Sequence, residues 1–420
     1  MRILVAMACG RRSFNVTAGM LADNLQSCGS PLDQFSLLVN YDPVYDGTPV
    51  ESFRVPPSTA QCFREVLYFG PAQSQAYLEA LQLAGIPEEV IEVFTLRRGF
   101  GQRKNLILLS AASRGYDAVL FWDDDEYPFY ARKIDDNDSF VWSRSNIMKD
   151  HFGARADVTN GFATGFVLPV PPDLTEILPD ETRSLLGRAL STVSDAAVSE
   201  AFMFPERNFV TIDRVAAVSE VAPDEYGVKW VSGGNLGVRL DALLDGRIPP
   251  FFTPRDSRAD DTMFSLGLGQ AHVFSVPVGI FHDCFGSFGS DVADGTRSRR
   301  WKPSTYAEKR NILNRLSSAM RGWVAYIPIL MRAMYGERRQ SDIGCVQALL
   351  ADADVRIQHE WPELYASIGE NGLSGVLSNA QKSAPSEFDL WRECSLHWKH
   401  LCSAVHENPL RAAAAKPWTL

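Results

Sequence analysis

No cysteine pair with metal-ligand spacing occurs in this sequence: its 7 cysteines, Cys9, Cys28, Cys62, Cys284, Cys345, Cys394 and Cys402, are odd in number and scattered without a CxxC. That absence argues against both a zinc site and a disulfide framework, and it suits a reducing, cytoplasmic setting. A long apolar run is missing as well. The opening residues 1–10 are too short for a signal peptide and far shorter than the roughly 20 residues of a membrane span, so they read as a first core strand. A basic excess is also lacking. The 41 Lys and Arg against 51 Asp and Glu leave a formal charge of −10, which counts against a general nucleic-acid binder, because phosphate contacts need a basic face. An anionic ligand must therefore be met locally. What the chain has in quantity is apolar residues, 45% against 22% charged, enough for one large core and a second, smaller domain.

The most informative stretch is 116–126. Ala118, Val119, Leu120, Phe121 and Trp122 form an apolar run that reads as a strand buried on both faces, and it ends in four consecutive carboxylates, Asp123, Asp124, Asp125 and Glu126. Four like charges raise one another's pKa unless a cation or a set of hydrogen bonds keeps them ionised, so this strand end suits a divalent metal with oxygen ligands. A solvated acidic turn is the alternative, although the carboxyl ends of strands are where α/β sheets place their ligands. Ahead of it, Gly99, Gly101, Arg103, Lys104 and Asn105 read as a basic loop opening a helix with Leu106, Leu109 and Ala112 on one side; Gly115 can end that helix in the left-handed conformation.

Taken in order, the chain alternates strand and helix. After the first strand come a loop with Arg11 and Arg12, a helix carrying Val16, Met20, Leu21 and Leu25, and a second strand over 35–40 that ends in Tyr41 and Asp42. Residues 43–71, rich in Pro, Gly and Ser, read as an insertion or a long loop. A helix over 73–84, a short helical piece at Pro87 and a third strand over 90–96 precede the basic loop. The order β, α, β, α, β, α, β across 1–122 predicts a mainly parallel sheet with helices on both faces. Further on, 133–138 is a charged turn, 141–152 is ambiguous, 164–170 is a strand stopped by Pro171 and Pro172, and 180–202 is a helix.

In the segment 229–241, Gly233 and Gly234 stand between two apolar stretches, where paired glycines let a backbone approach a ligand or simply make a turn. Asp260 and Asp261 precede Met263, Phe264, Leu266 and Leu268, which places them in the first turn of a helix, as site residues or as simple capping. The strand signal over 273–281 runs into His282, a metal ligand or a packed residue. The basic stretch 297–302 reads as a lid over a diphosphate or as a solvated run. From Tyr306 onward the pattern is helical. The stripe of Ile312, Leu313, Leu316, Met320, Trp323 and Tyr326 packs on the rest of the protein or, over 323–335, rests on a membrane surface. Helices follow over 345–357 and 388–405; His397, His400 and His406 on the latter lack carboxylate or cysteine partners for a metal site. Residues 412–415 and the end read as a frayed tail.

A basic residue followed by Asn at a helix opening, here Lys104 and Asn105, and a next strand ending in a DxD, here Asp123 to Asp125, resemble the GT-A glycosyltransferases, especially the large inverting family that includes cellulose and chitin synthases. The resemblance covers about residues 1–285; the last third matches no family. It implies a GT-A, Rossmann-like α/β catalytic domain over 1–290, with a nucleotide-binding half to about 126 and an acceptor half over 127–290. A basic loop over 291–305 and a helical region over 306–420 then follow. It implies Mn²⁺ or Mg²⁺ on Asp125 with Asp123 and His282, and a nucleotide-sugar donor, of the UDP class, against Ala8, Arg11, Asp42, Arg103, Lys104, Asn105, Asp123, Asp124, Gly233, Gly234 and Asn235. It also implies an acidic pair, Asp260 and Asp261, whose second member is the base on a carbohydrate or glycoconjugate acceptor. The chain departs from the family in having Asn40, Tyr41 and Asp42 where an acidic pair is usual. A sugar-phosphate nucleotidyltransferase, a retaining transferase and a non-catalytic scaffold are the other readings; the first lacks its Gly-rich signature near residues 8–18. A homo-oligomer and a peripheral contact with the inner face of a membrane are left open.

Overall fold

A strand that is apolar along its length has no face to give to water, and β1 (Ile3–Cys9) is buried along almost all of its length. In the computed structural model, which describes residues 1–11, 13–95, 100–134, 139–153, 155–191, 196–288, 298–299, 306–336 and 340–407, this strand stands in the middle of a mixed sheet. Helix α1 (Phe14–Ser27) leads to β2 (Phe35–Tyr41), and α2 (Pro57–Ala60), β3 (Val66–Phe69), α3 (Pro71–Leu83), α4 (Glu88–Thr95) and α5 (Phe100–Ser113) lead to β4 (Ala118–Asp123). These strands pair in parallel in the order β3-β2-β1-β4.

The third strand is β3, inside the stretch read as an insertion or loop, and the strand expected over 90–96 is helix α4, with Leu96 outside the described residues. Val90, Ile91 and Phe94 are spaced to bury one face of a helix, and Glu88 and Glu89 occupy its first turn, where the helix dipole favours carboxylates. The basic residues Arg103 and Lys104 likewise lie on α5 itself rather than in a loop before it.

Past β4 come β5 (Glu126–Tyr127), β6 (Tyr130–Lys133), β7 (Ser139–Ser143), α6 (Ile147–Phe152), β8 (Val158–Phe166), α7 (Asp180–Ser191), α8 (Ala196–Met203), β9 (Phe209–Val210) and β10 (Ser219–Glu220). They are followed by β11 (Leu236–Arg239), α9 (Leu240–Leu244), α10 (Asp260–Gly267), β12 (Val273–Asp283) and β13 (Ser298–Arg299). β11 runs antiparallel between β4 and β8, and β8 pairs in parallel with β12. β6, β7 and β13 make a small antiparallel sheet. The strand expected over 164–170 begins earlier and ends at Phe166. Its polar Thr159 and Thr164 hide it in the sequence; inside the protein their hydroxyls pair with His151 at 2.8 Å and the Ile280 carbonyl at 2.8 Å. The single helix expected over 180–202 is two, α7 and α8. Of the charged turn 133–138, residues 135–138 lie outside the described residues, as do most of 291–305 and all of 412–415.

Alternation along the central strands divides the core in two. Leu4, Ala6, Leu38, Val119 and Phe121 face one cluster, which continues into the C-terminal helices; Ile3, Val5, Leu37, Val39, Leu120 and Trp122 face the other, with α1. The C-terminal helices are α11 (Tyr306–Tyr335), α12 (Gln340–Glu360), α13 (Pro362–Ile368) and α14 (Gly372–Glu407). Trp398 of α14 is buried against Phe94 with ring centroids 5.6 Å apart, and its indole N–H donates to the Ile248 carbonyl at 2.9 Å. The apolar stripe of α11, including Trp323, Val324, Tyr326, Ile327 and Leu330, is buried inside the molecule. Among the described residues, no helix is long and apolar enough to cross a membrane.

Candidate active site at the strand ends

Strand β1 has β2 on one side and β4 on the other, so successive connections leave it in opposite directions, and the crevice outside its carboxyl end is where such sheets take ligands. Register puts Ala8 beside Asp123 and Asn40, and the chain then turns through Gly10 and Arg11. That turn wraps the acidic cluster. The backbone N–H groups of Gly10 and Arg11 donate to Asp124 Oδ2 at 3.0 and 3.1 Å, and the Thr17 hydroxyl donates to the Asp124 carbonyl at 2.8 Å. Arg11 Nη1 lies 3.2 Å from Asp124 Oδ1 and donates to Asp125 Oδ2 at 2.8 Å; His282 Nε2 faces that same Oδ2 at 3.7 Å.

The carboxylates are not equivalent. Burial pushes Asp124 up to about 7 although Arg11 opposes it. Burial acts on Asp125 in the same direction, but Arg11 and His282 outweigh it and hold that carboxyl at about 2. Asp123 is raised by burial against the pull of Lys104. Glu126 is pushed well above the carboxylate range by burial and by Asp123; its Oε2 accepts the Asp123 N–H at 3.0 Å. Environments that separate neighbouring carboxyls in this way divide an acidic cluster into permanently ionised and proton-holding members.

A second ion pair closes the site from the other side. Lys104 Nζ donates to Asp260 Oδ2 at 2.9 Å and to the Gly233 carbonyl at 3.1 Å, and sits 5.0 Å from the centre of the Phe251 ring. Burial works against its charge, but Asp260, Asp123 and Asp261 more than offset that and raise its pKa. Asp260 and Asp261 occupy the first turn of α10. A Cβ on Gly233 would lie 2.8 Å from Lys104 Nζ and 3.5 Å from Asp261 Cβ, so this glycine borders both; one on Gly234 would overlap Glu126 Oε1 at 2.0 Å. At the flank, Arg103 Nη2 donates to Asp42 Oδ2 at 2.7 Å, tying α5 to the end of β2.

The structure thus gathers Ala8, Arg11, Lys104, Asp123, Asp124, Asp125, Gly233, Asp260, Asp261 and His282 about the acidic end of β4, with Gly234 against Glu126 and Asp42 paired with Arg103. Asn105 and Asn235 are placed elsewhere: both side chains are in the core. Asn105 exchanges hydrogen bonds with the Phe251 backbone, both at 2.8 Å, while Asn235 pairs with His151 Nε2 at 2.9 Å and donates to the Val278 carbonyl at 2.9 Å. Two participants are given no separate role by the sequence. Glu126 is hidden as the last member of an acidic run, and Arg315 of α11, whose positive charge helps to lower Asp125, is one basic residue among several on a helix.

Asp125, Asp123 and His282 supply two carboxylates and an imidazole, a donor set suited to a divalent cation. Octahedral ligation at 2.0–2.1 Å brings neighbouring donors to about 3 Å, so the 3.7 Å between Asp125 and His282 has to shorten, and Arg11 has to release Oδ2. Among the described residues, no group of three or more His, Cys, Asp or Glu side chains is already gathered around a metal-sized space.

No family model and no curated protein matches the chain. Among solved structures it is similar to S. aureus TarS 1–349, at 11% identity over 95% of this chain and 92% of that one with a TM-score of 0.37. It is also similar to the mannosyltransferase PcManGT from Pyrobaculum calidifontis in complex with GDP-Man and Mn²⁺, at 14% identity over 99% and 86% with a TM-score of 0.35. A third is glucosyl-3-phosphoglycerate synthase from Mycobacterium tuberculosis in complex with Mg²⁺ and UDP, at 13% identity over 76% and 77% with a TM-score of 0.30.

Proposed function

We propose that the chain is a glycosyltransferase of the GT-A type, moving a sugar from a nucleotide diphosphate sugar, of the UDP class, to a hydroxyl of a carbohydrate or glycoconjugate with inversion. The observation that carries this reading is the Lys104–Asp260 ion pair, which fixes the first turn of α10, and with it Asp261, beside Gly233 and across from the acidic end of β4. Asp125, with Asp123 and His282, would hold Mn²⁺ or Mg²⁺, which would supply positive charge against the departing diphosphate. Arg11 and Lys104 contribute fixed positive charge on either side of the crevice. Arg103 and Asp42, paired at its edge, border the nucleotide. Asp261, in the same helical turn as Asp260 and beside Gly233, would take the proton of the acceptor hydroxyl as that oxygen attacks the anomeric carbon.

A positioned base contributes about 10²–10⁴-fold, so Asp261→Asn lowers the transfer rate by that order while nucleotide binding persists. A full transfer rate in this variant removes Asp261 as the base and favours retention. Calorimetric titration with UDP, GDP, CMP and ADP, with and without Mn²⁺, identifies the donor class. Manganese-dependent binding that survives in Asp125→Asn would remove Asp125 from the ligand set, and no binding of any nucleotide would sink the transferase reading.

A further inference from the structure

Helix α11 buries an apolar stripe, but another of its faces has a different composition. Asn314, Ser317, Ser318 and Arg321 follow one another at spacings of three, one and three, so they share one side of the helix. Opposite them stand Ser367 of α13 and Asp256 of the segment 254–258, and the six residues, of which Asp256, Asn314, Ser318 and Arg321 are exposed, line a cavity of about 390 Å³ that opens to the surface. The short side chains leave the space open, and every wall offers hydrogen bonds: three hydroxyls, an amide, a guanidinium and a carboxylate. The Ser317 and Ser367 hydroxyls are hydrogen-bonded to each other at 2.7 Å, which joins the two walls on the buried side. Its charged groups, one of each sign, balance. Asp256 has a φ of 57°, a conformation uncommon outside glycine and retained where the surroundings over-determine it.

Both walls belong to chain segments that also reach the candidate active site. Asp256 lies four residues before Asp260 on the segment that enters α10. Asn314 is next to Arg315, whose charge acts on Asp125. α11 lies close against the 254–258 segment, since a Cβ on Gly322 would be 2.5 Å from Arg258 Cγ. A volume of this size falls in the roughly 300–1,000 Å³ range of small-molecule sites. A neutral, hydroxyl-rich lining without a large apolar surface suits a polyhydroxylated ligand and disfavours a lipid tail or a nucleobase.

We propose that this cavity binds a saccharide unit of the acceptor, one that does not itself react, and so sets which acceptors the enzyme takes. The proposal rests on the transferase reading above. Its test uses the full chain and three probes, maltose, N,N′-diacetylchitobiose and mannobiose, with binding followed by saturation-transfer NMR and calorimetry. The wild type is compared with Ser318→Phe, which fills the space, with Arg321→Ala and with the conservative Arg321→Lys. At least one disaccharide binds the wild type; Ser318→Phe abolishes that binding, Arg321→Ala weakens it about tenfold, the loss of one or two hydrogen bonds to a charged group, and Arg321→Lys restores part of it. UDP binding is the same in all four proteins. If none of the three disaccharides binds the wild type, or if one binds all four proteins equally, the proposal is overturned. Saccharide binding lost in Ser318→Phe, in a protein that binds no nucleotide, would refute the transferase reading and leave the cavity as a saccharide site.

Discussion

Replacing Arg11 by Met removes the guanidinium that two buried carboxylates share while keeping the side chain's length. Asp125 is held at about 2 against an ordinary value of 3.8, which corresponds to roughly 2 kcal/mol. That is the net effect after burial, which pushes the other way, so Arg11 and His282 together supply more than this. Removing one partner of a buried pair costs about 3–5 kcal/mol. Urea unfolding of metal-free protein at pH 7, followed by tryptophan fluorescence, is therefore expected to show Arg11→Met destabilised by about 2–4 kcal/mol. The pH dependence gives the sharper test. A carboxyl whose folded pKa is depressed contributes stability above its unfolded pKa and loses it as pH falls through the folded value, here about 2. In the variant, burial is no longer opposed by Arg11, so Asp125 takes up its proton at a higher pH and the deficit relative to wild type shrinks as pH is lowered toward 4. A deficit below about 1 kcal/mol at pH 7, the size of a surface ion pair, or one of equal size at pH 7 and pH 4, would refute the reasoning.

Asp124 carries the opposite sign: with its folded pKa raised from 3.8 to about 7, the stability it contributes is fully present below the unfolded value and lost progressively as pH rises to the folded one, so metal-free Asp124→Asn lacks part of the wild-type decline in urea midpoint between about pH 4 and 7. Gly234→Ala forces a methyl onto Glu126 Oε1 and is expected to lower stability by about 1–3 kcal/mol; an unchanged melting curve would mean the two segments are not in contact. Trp398→Ala removes a buried indole that anchors α14 to α4 and to the Ile248 carbonyl, with an expected loss of about 3–5 kcal/mol in chemical denaturation; a loss under about 1 kcal/mol would show that α14 is not docked there.

The parts of the fold legible in the sequence were those whose signal is local. The apolar runs of β1, β2 and β4 could hardly be anything but buried strands, and Asp260 and Asp261 ahead of Met263 and Phe264 mark a helix start in the chain itself. β3 escapes a reading of the sequence because it is four residues long and bounded by polar and turn-forming residues, whereas 90–95 is apolar enough to pass for a strand until the spacing of Val90, Ile91 and Phe94 is weighed. Asn105 and Asn235 stood next to site residues in sequence, yet their amides satisfy backbone and imidazole groups in the core, a use that only tertiary contacts disclose. Arg315 and the cavity beside it were out of reach for the same reason: a serine or arginine on a helix acquires its meaning from what the helix packs against.

Charge compensation explains why the site could not be read as one motif. Asp123, Asp124, Asp125 and Glu126 are contiguous, but the positive charges that make their burial tolerable come from separate elements. Arg11 comes from the turn after β1, Lys104 from α5 and Arg315 from α11. Arg11 serves the adjacent Asp124 and Asp125 of the turn after β4, whereas the cation that chiefly opposes the burial of Asp123 is Lys104, so one cation does not serve the whole run. The solution adopted here is to let β1, α5 and the C-terminal helices converge on the strand ends, with Asp260 accepting the second half of Lys104's charge. A site assembled this way depends on the C-terminal helices for its electrostatics as well as for its core. Removing α11 would therefore withdraw Arg315 from Asp125 at the same time as it exposes the apolar cluster that runs from the sheet into α14.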